Sequence, residues 1–105
     1  MFIYELTAKE LRDKFLSGEI SAEEIVNSFY ERIEKIEDKV KSFVSLRKEL
    51  ALEEAKKLDE KRKNGEKLGK LAGIPLAIKD NILMEGQKST SCSKILENYV
   101  GIYDA

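Results

Sequence analysis

The 105-residue chain carries 19 basic and 20 acidic side chains for a net charge of −1, with 42% apolar and 37% charged residues. So balanced a charge creates no global field to draw the chain onto nucleic acid or an acidic membrane, and no apolar run approaches a membrane span. With no histidine and a single cysteine, Cys92, these residues exclude a histidine-based catalytic triad, an intrachain disulfide and a zinc site of the usual kind. Chemistry here must use lysine, carboxylate, hydroxyl or thiol groups. The opening residues lack a basic segment leading into an apolar stretch, so no signal peptide is expected and the expected location is cytoplasmic.

Thr7-Ala-Lys-Glu10 has the spacing of a capping box, in which Thr7 caps the Glu10 amide and Glu10 reaches back. Leu11, Phe15 and Leu16 follow at helical spacing, and Gly18 supplies a stop. Ser21-Ala-Glu-Glu24 is a second capping box, followed by a stripe of Ile25, Val26, Phe29, Ile33 and Ile36. This predicts a second helix running to about residue 38, joined to the first by a link short enough to make them neighbours. Residues 43–46 read as a short strand. A third helix is expected over roughly 47–64, with Leu50, Ala51, Glu54, Ala55 and Leu58 in phase and Asn64-Gly65 ending it. A charged loop leads to a predicted strand at 74–79 and a second apolar patch, Ile82-Leu-Met84. Glu85-Gly86 reads as a turn, and Ser89-Thr-Ser-Cys-Ser93 as a hydroxyl-rich loop capping a short helix over 94–98.

The most informative stretch is Gly73-Ile-Pro-Leu-Ala-Ile-Lys-Asp-Asn81. Leu76, Ala77 and Ile78 form a continuous apolar run, the pattern of a strand covered on both faces. Lys79 stands at its carboxyl end, where ligand crevices lie in α/β sheets. Asp80 and Asn81 are expected to fix the turn after the strand. Two readings stand for Lys79, and the pattern alone favours the first. A lysine can simply end a strand and block edge-to-edge pairing. Alternatively it is held for chemistry as a neutral amine. Bringing any primary ammonium from the reference pKa of about 10.4 to near 7 takes about 4 kcal/mol of desolvation or neighbouring positive charge. Such an amine can take a proton from a serine hydroxyl. A strand of this kind needs neighbours on both edges, and only one other strand is expected, so the sheet reads as incomplete within these residues.

The hydroxyl-rich loop has a nucleophile or phosphate-ligand reading and a capping reading. No glycine-rich phosphate fingerprint precedes it, and capping is favoured. Cys92 reads as a small, partly buried residue. Residues 56–70 hold seven basic and three acidic side chains. A phosphate contact to RNA is one reading. A solvated helix face and loop is the other, favoured because acidic residues interleave and no aromatic residue offers stacking.

Leu71-Ala-Gly-Ile-Pro-Leu-Ala-Ile-Lys-Asp-Asn-Ile82 resembles the lysine motif of the amidase signature family. The continuation, Gly86, Ser89-Thr-Ser-Cys-Ser-Lys-Ile-Leu96, Tyr99 and Tyr103-Asp-Ala105, is similar to the stretch just after that motif in the family. Leu6-Thr-Ala-Lys-Glu-Leu11, Gly18-Glu-Ile-Ser21 and the second helix occur in similar form in a tRNA-dependent member. The resemblance spans all 105 residues; residues 71–105 are its specific part.

The resemblance implies an α/β fold, a mixed sheet enclosed by helices, of which these residues form the amino-terminal part of one domain. Residues 1–40 would be a helical lead-in, and 41–105 the first strands, a helix and the lysine motif. It implies a catalytic set of a nucleophilic serine, a second serine with a cis peptide, and a lysine matched here by Lys79. Both serines belong to a Gly-Ser-rich segment that nothing in residues 1–105 resembles, so these residues alone are expected to be inactive. The implied activity is glutamine hydrolysis that supplies ammonia for amidating a mischarged tRNA. The implied partners are a tRNA-binding subunit that uses ATP and magnesium, and a small third subunit, with tRNA contacted indirectly. No cofactor or metal is expected on this chain itself. Two alternatives are an amidase of the same family acting on free amides, and a helical interaction module without catalysis.

Overall fold

A computed structural model describes residues 2–105. They divide into two compact units, one comprising residues up to Lys41 together with Arg47–Pro75, the other comprising Ser42–Leu46 and Leu76–Ala105.

The first unit is helical. After a short 3₁₀ turn at Ile3–Glu5, it contains α1 (Ala8–Ser17), α2 (Ala22–Val40) and α3 (Lys48–Lys63). Both expected capping boxes form. The Thr7 hydroxyl accepts from the Glu10 amide at 3.2 Å while the Glu10 carboxylate accepts from the Thr7 N–H at 2.7 Å. That backbone bond, with the Thr7 hydroxyl, holds the Glu10 carboxyl below the usual carboxylate range. At α2, Ser21 and Glu24 repeat the exchange at 3.0 and 2.7 Å. Gly18 ends α1 in the left-handed conformation, with φ +83°, as its position predicts.

Phe15 and Ile25 are fully buried, and Leu11, Ala22, Ala55 and Ala72 complete the core. Ile3, Leu6, Ile20, Val26, Phe29, Leu58 and Leu68 pack around it. Leu16, which shares the predicted α1 stripe, is exposed instead. The α1–α2 corner is held from α3. The Asp59 carboxylate accepts from the Ala22 and Glu23 amides at 2.7 and 3.2 Å, two of the donors that a helix start leaves without a helical partner. One turn on, Arg62 Nη1 donates to the carbonyls of Phe15 and Ile20 at 2.6 and 2.9 Å. Its guanidinium lies 4.8 Å from the Phe15 ring centroid, a cation–π distance.

The approach to the lysine motif is also fixed within this unit. Arg12 Nε donates to the Lys70 carbonyl at 2.6 Å. Residues 69–74 form two successive turns, closed by Ala72 N–H to Gly69 at 3.2 Å and Ile74 N–H to Leu71 at 3.1 Å. Gly73 adopts φ +82°, and a Cβ there would lie 2.7 Å from the Phe15 ring.

The predicted strands at 43–46 and 74–79 do not form regular strands, nor does the patch at 82–84. Only isolated bridges occur among the described residues, parallel at Glu85–Gly101 and antiparallel at Lys88–Val100. The physical reason is that a strand is a property of a pair. The apolar run is present, but no neighbouring segment among the described residues supplies a hydrogen-bond ladder, and Pro75 removes one donor. Leu76 and Ile78, expected to be covered, are 65% and 41% exposed. The helix expected over 94–98 shortens to a 3₁₀ turn at Lys94–Leu96, with the Ser93 hydroxyl accepting from the Ile95 amide.

The packing of the helical unit can be tested by stability measurements on full-length protein carrying these residues. Gly73→Ala should cost about 2–5 kcal/mol, combining a left-handed alanine with overpacking against Phe15. Gly18→Ala, which meets open space, should cost only the conformational part, about 1–2 kcal/mol. Thermal denaturation should therefore rank wild type above Gly18→Ala above Gly73→Ala, and equal midpoints for the two variants would refute the steric assignment. Arg62→Lys should cost about 1.5–3 kcal/mol, because an ammonium cannot span both carbonyls and cover the ring. The exposed neighbour change Lys61→Ala should stay within about 0.5 kcal/mol in the same denaturation assay.

Candidate functional site around Lys79

Lys79 occupies the first position of a tight turn. Its carbonyl accepts from the Ile82 N–H at 2.9 Å, with Asp80 and Asn81 between them. This is the turn-fixing role that the sequence assigns to Asp80 and Asn81. The Lys79 side chain is exposed.

Asp80 does more than form the turn. Its Oδ1 accepts from the Thr90 N–H at 3.0 Å, and its Oδ2 accepts from the Thr90 hydroxyl and from the Cys92 N–H, the latter at 3.2 Å. Its carbonyl accepts from the Ser89 hydroxyl at 2.8 Å and from the Ser91 N–H at 3.3 Å. The Thr90 hydroxyl also accepts from the Cys92 N–H at 3.2 Å. The Thr90 hydroxyl and amide, aided by the Cys92 amide, hold the Asp80 carboxyl below the usual carboxylate range. Ser91 and Cys92 both have positive φ, 49° and 56°, a conformation that costs a non-glycine residue free energy and persists where surrounding bonds enforce it.

The hydroxyl-rich loop therefore resolves into two roles. Ser89 and Thr90 are buried and engaged with Asp80, and Ser93 caps the following turn. Cys92 is exposed, against the expectation of a partly buried residue, because the loop is held by its backbone N–H to Asp80 and Thr90 and needs nothing from the thiol. A shallow depression in this unit is lined by Val44, Ser45, Lys88, Thr90, Glu97 and Asn98, and does not include Lys79. The structure thus brings Lys79 to a turn clamped by Thr90 without forming a catalytic set around it. Sequence reasoning missed the Asp80–Thr90 link. Its only signal is a carboxylate ten residues before a hydroxyl, which is not a recognisable motif.

The Amidase family model matches residues 24–105. The chain belongs to the amidase family. The A subunit of glutamyl-tRNA(Gln) amidotransferase from Fusobacterium nucleatum subsp. nucleatum is 88% identical to it over 103 residues, covering 98% of this chain and 21% of the relative. The protein of the same description from Carboxydothermus hydrogenoformans is 47% identical over 105 residues, all of this chain and 22% of the relative. The chain thus spans about a fifth of the length of the curated relatives it matches. Among solved structures, a bacterial aryl acylamidase of the amidase signature family superposes with a TM-score of 0.87 at 30% identity, over 91% of this chain and 20% of that one. An enzyme described in connection with the evolutionary origins of s-triazine catabolism superposes with a TM-score of 0.88 at 29% identity, over 95% of this chain and 22% of that one. The fold is accordingly the amino-terminal part of the amidase signature fold, as the lysine motif implies.

The lowered Asp80 carboxyl carries a pH prediction. A carboxyl depressed in the folded state adds stability above its unfolded pKa, and that contribution is lost as pH falls through the lowered value. The Thr90 and Cys92 amide resonances of full-length protein should therefore titrate together, with a midpoint below the ordinary 3.8. In Asp80→Asn both should be flat across that range. Independent midpoints for the two amides would break the clamp into unrelated contacts.

Proposed function

We infer that this chain is the amino-terminal part of a glutamine amidase, the subunit that supplies ammonia for converting Glu-tRNA(Gln) to Gln-tRNA(Gln) in translation. The observation that carries this reading is the 88% identity over nearly the whole chain to the A subunit of a glutamyl-tRNA(Gln) amidotransferase. The solved aryl acylamidase shares the fold at 30% identity, so fold alone leaves the amide substrate open. The motif run Ser93-Lys-Ile-Leu-Glu-Asn-Tyr99 favours the tRNA-dependent enzyme over an amidase of free amides.

Lys79 is the residue assigned to chemistry. As a neutral amine it would accept a proton from a second serine, which in turn takes the proton of the nucleophilic serine as that serine attacks the glutamine side-chain carbonyl, and it would give the proton to the departing ammonia. Neither serine is assigned to residues 89–93: Ser89 and Thr90 are engaged with Asp80, Ser93 caps a turn, and Ser91 lies outside the Gly-Ser-rich segment to which the family's serines belong. In this reading a tRNA-binding partner subunit uses ATP and magnesium to activate the glutamyl ester and receives the ammonia, a small third subunit completes a heterotrimer, and the complex works in the cytoplasm. No cofactor is assigned to this chain. No helix among the described residues is long and apolar enough to cross a membrane.

The deciding experiment is Lys79→Arg in the full-length subunit within its complex. Arginine keeps the charge but cannot become a neutral base at working pH. Ammonia release from glutamine should fall by at least about a hundredfold, the scale of a lost acid–base catalyst, while amidation driven by added ammonium proceeds as in wild type. Near wild-type glutamine hydrolysis by Lys79→Arg would return Lys79 to a turn-ending, solvent-facing role.

A further inference from the structure

The Lys79 side chain is exposed and makes no hydrogen bond or ion pair among the described residues, so the order at this position lies in its backbone. The carbonyl of Lys79 is engaged in the turn to Ile82. The next residue, Asp80, is tied through its carboxylate to Thr90 and Cys92 and through its carbonyl to Ser89 and Ser91. The recipient loop is anchored in turn. Ser89 and Thr90 are 4% and 5% exposed, the Ser89 N–H donates to the Tyr99 carbonyl at 3.2 Å, and the Ser93 N–H donates to the Thr90 carbonyl at 2.8 Å. A lysine stem is flexible, so what the fold fixes is the point from which the amine reaches out, and that point is anchored through Asp80.

We propose that Asp80 is a positioning residue for Lys79, acting through its hydrogen bonds to Thr90 so that the amine reaches the reacting groups from one fixed point of the backbone. The carboxylate is chemically suited to this. It accepts one N–H on Oδ1 and an O–H and a second N–H on Oδ2, and the amide nitrogen of an asparagine cannot replace the second oxygen as an acceptor. The proposal rests on Lys79 being the base, and its test separates the two claims.

The test is steady-state glutamine hydrolysis by the full-length subunit in its complex. Thr90→Val removes the hydroxyl while keeping the side-chain shape. It should lower kcat between roughly tenfold and a hundredfold, the scale of a misplaced catalytic group, and leave KM within about threefold. Thr90→Ser should restore kcat to within about threefold of wild type, because it returns the donor to Asp80 Oδ2. Asp80→Asn should lower kcat to a similar extent, and Asp80→Asn with Thr90→Val should be no worse than the poorer single variant, since both cut one link. Ammonium-driven amidation should be unchanged in all of them, which reports an intact complex. A Thr90→Val enzyme with wild-type kcat, a Thr90→Ser enzyme no better than Thr90→Val, or fully additive losses would each overturn the proposal. Should Asp80→Asn not fold, the Thr90 pair decides alone. If Lys79→Arg retains glutamine hydrolysis while Thr90→Val loses it, the clamp serves another group and the positioning claim fails together with the assignment of the base. If Lys79→Arg is inactive and Thr90→Val is unaffected, only the positioning claim fails.

Discussion

The helical unit depends on one constraint, the grip of α3 on the corner between α1 and α2. Asp59 and Arg62 stand three residues apart on one face of α3. The acid takes the unpaired amides at the start of α2, and the guanidinium takes carbonyls at the end of α1 and in the link. Each charge meets the helix terminus whose partial charge is opposite to it. Arg62 also covers Phe15, so the same residue that ties the backbone closes the lid on the most buried side chain. With Phe15 held, the chain must pass it without a side chain, and Gly73 is where it does. The start of the lysine motif thereby inherits its path from a contact made by α3.

The second unit is organised differently. Its buried side chains are the polar Ser89 and Thr90 rather than apolar residues, and all the buried apolar core residues belong to the helical unit. Leu76, Ile78, Ile82, Ile95 and Ile102 are exposed. Its order comes from hydrogen bonds, chiefly those converging on Asp80 and the backbone pairs around Gly86, Gln87 and Gly101. Hydrogen bonds contribute about 1 kcal/mol each and are specific in direction, so they fix local geometry without supplying the bulk stabilisation of an apolar core.

Much of the helical unit was legible in the residues. Capping boxes are local, their spacing follows from the helix repeat, and both formed as read. Helix ends at Gly18 and near Asn64 are equally local, since they depend on backbone preference. The strands were not legible in the same sense. An apolar run such as Leu76-Ala-Ile78 records a tendency to be covered, but pairing needs a second segment in ladder register, and among the described residues this run forms no ladder. The site showed the same division. Lys79 stood out as a candidate because it ends an apolar run within a motif, whereas the bond from Asp80 to Thr90 joins positions with no periodic relation.

What the sequence by itself determined is whatever a residue settles with neighbours a few positions away: three helices, two of them with capping boxes, the turn at Lys79–Ile82, and membership in the amidase family through a contiguous motif. Only the tertiary structure decided which side chains meet across distance. Arg62 reaching Phe15, Gly73 yielding space to that ring, and Asp80 closing on Thr90 and Cys92 depend on where the chain returns in space. No local preference encodes that return, because each of these contacts is favourable only once the partner has already been brought within hydrogen-bonding or van der Waals reach.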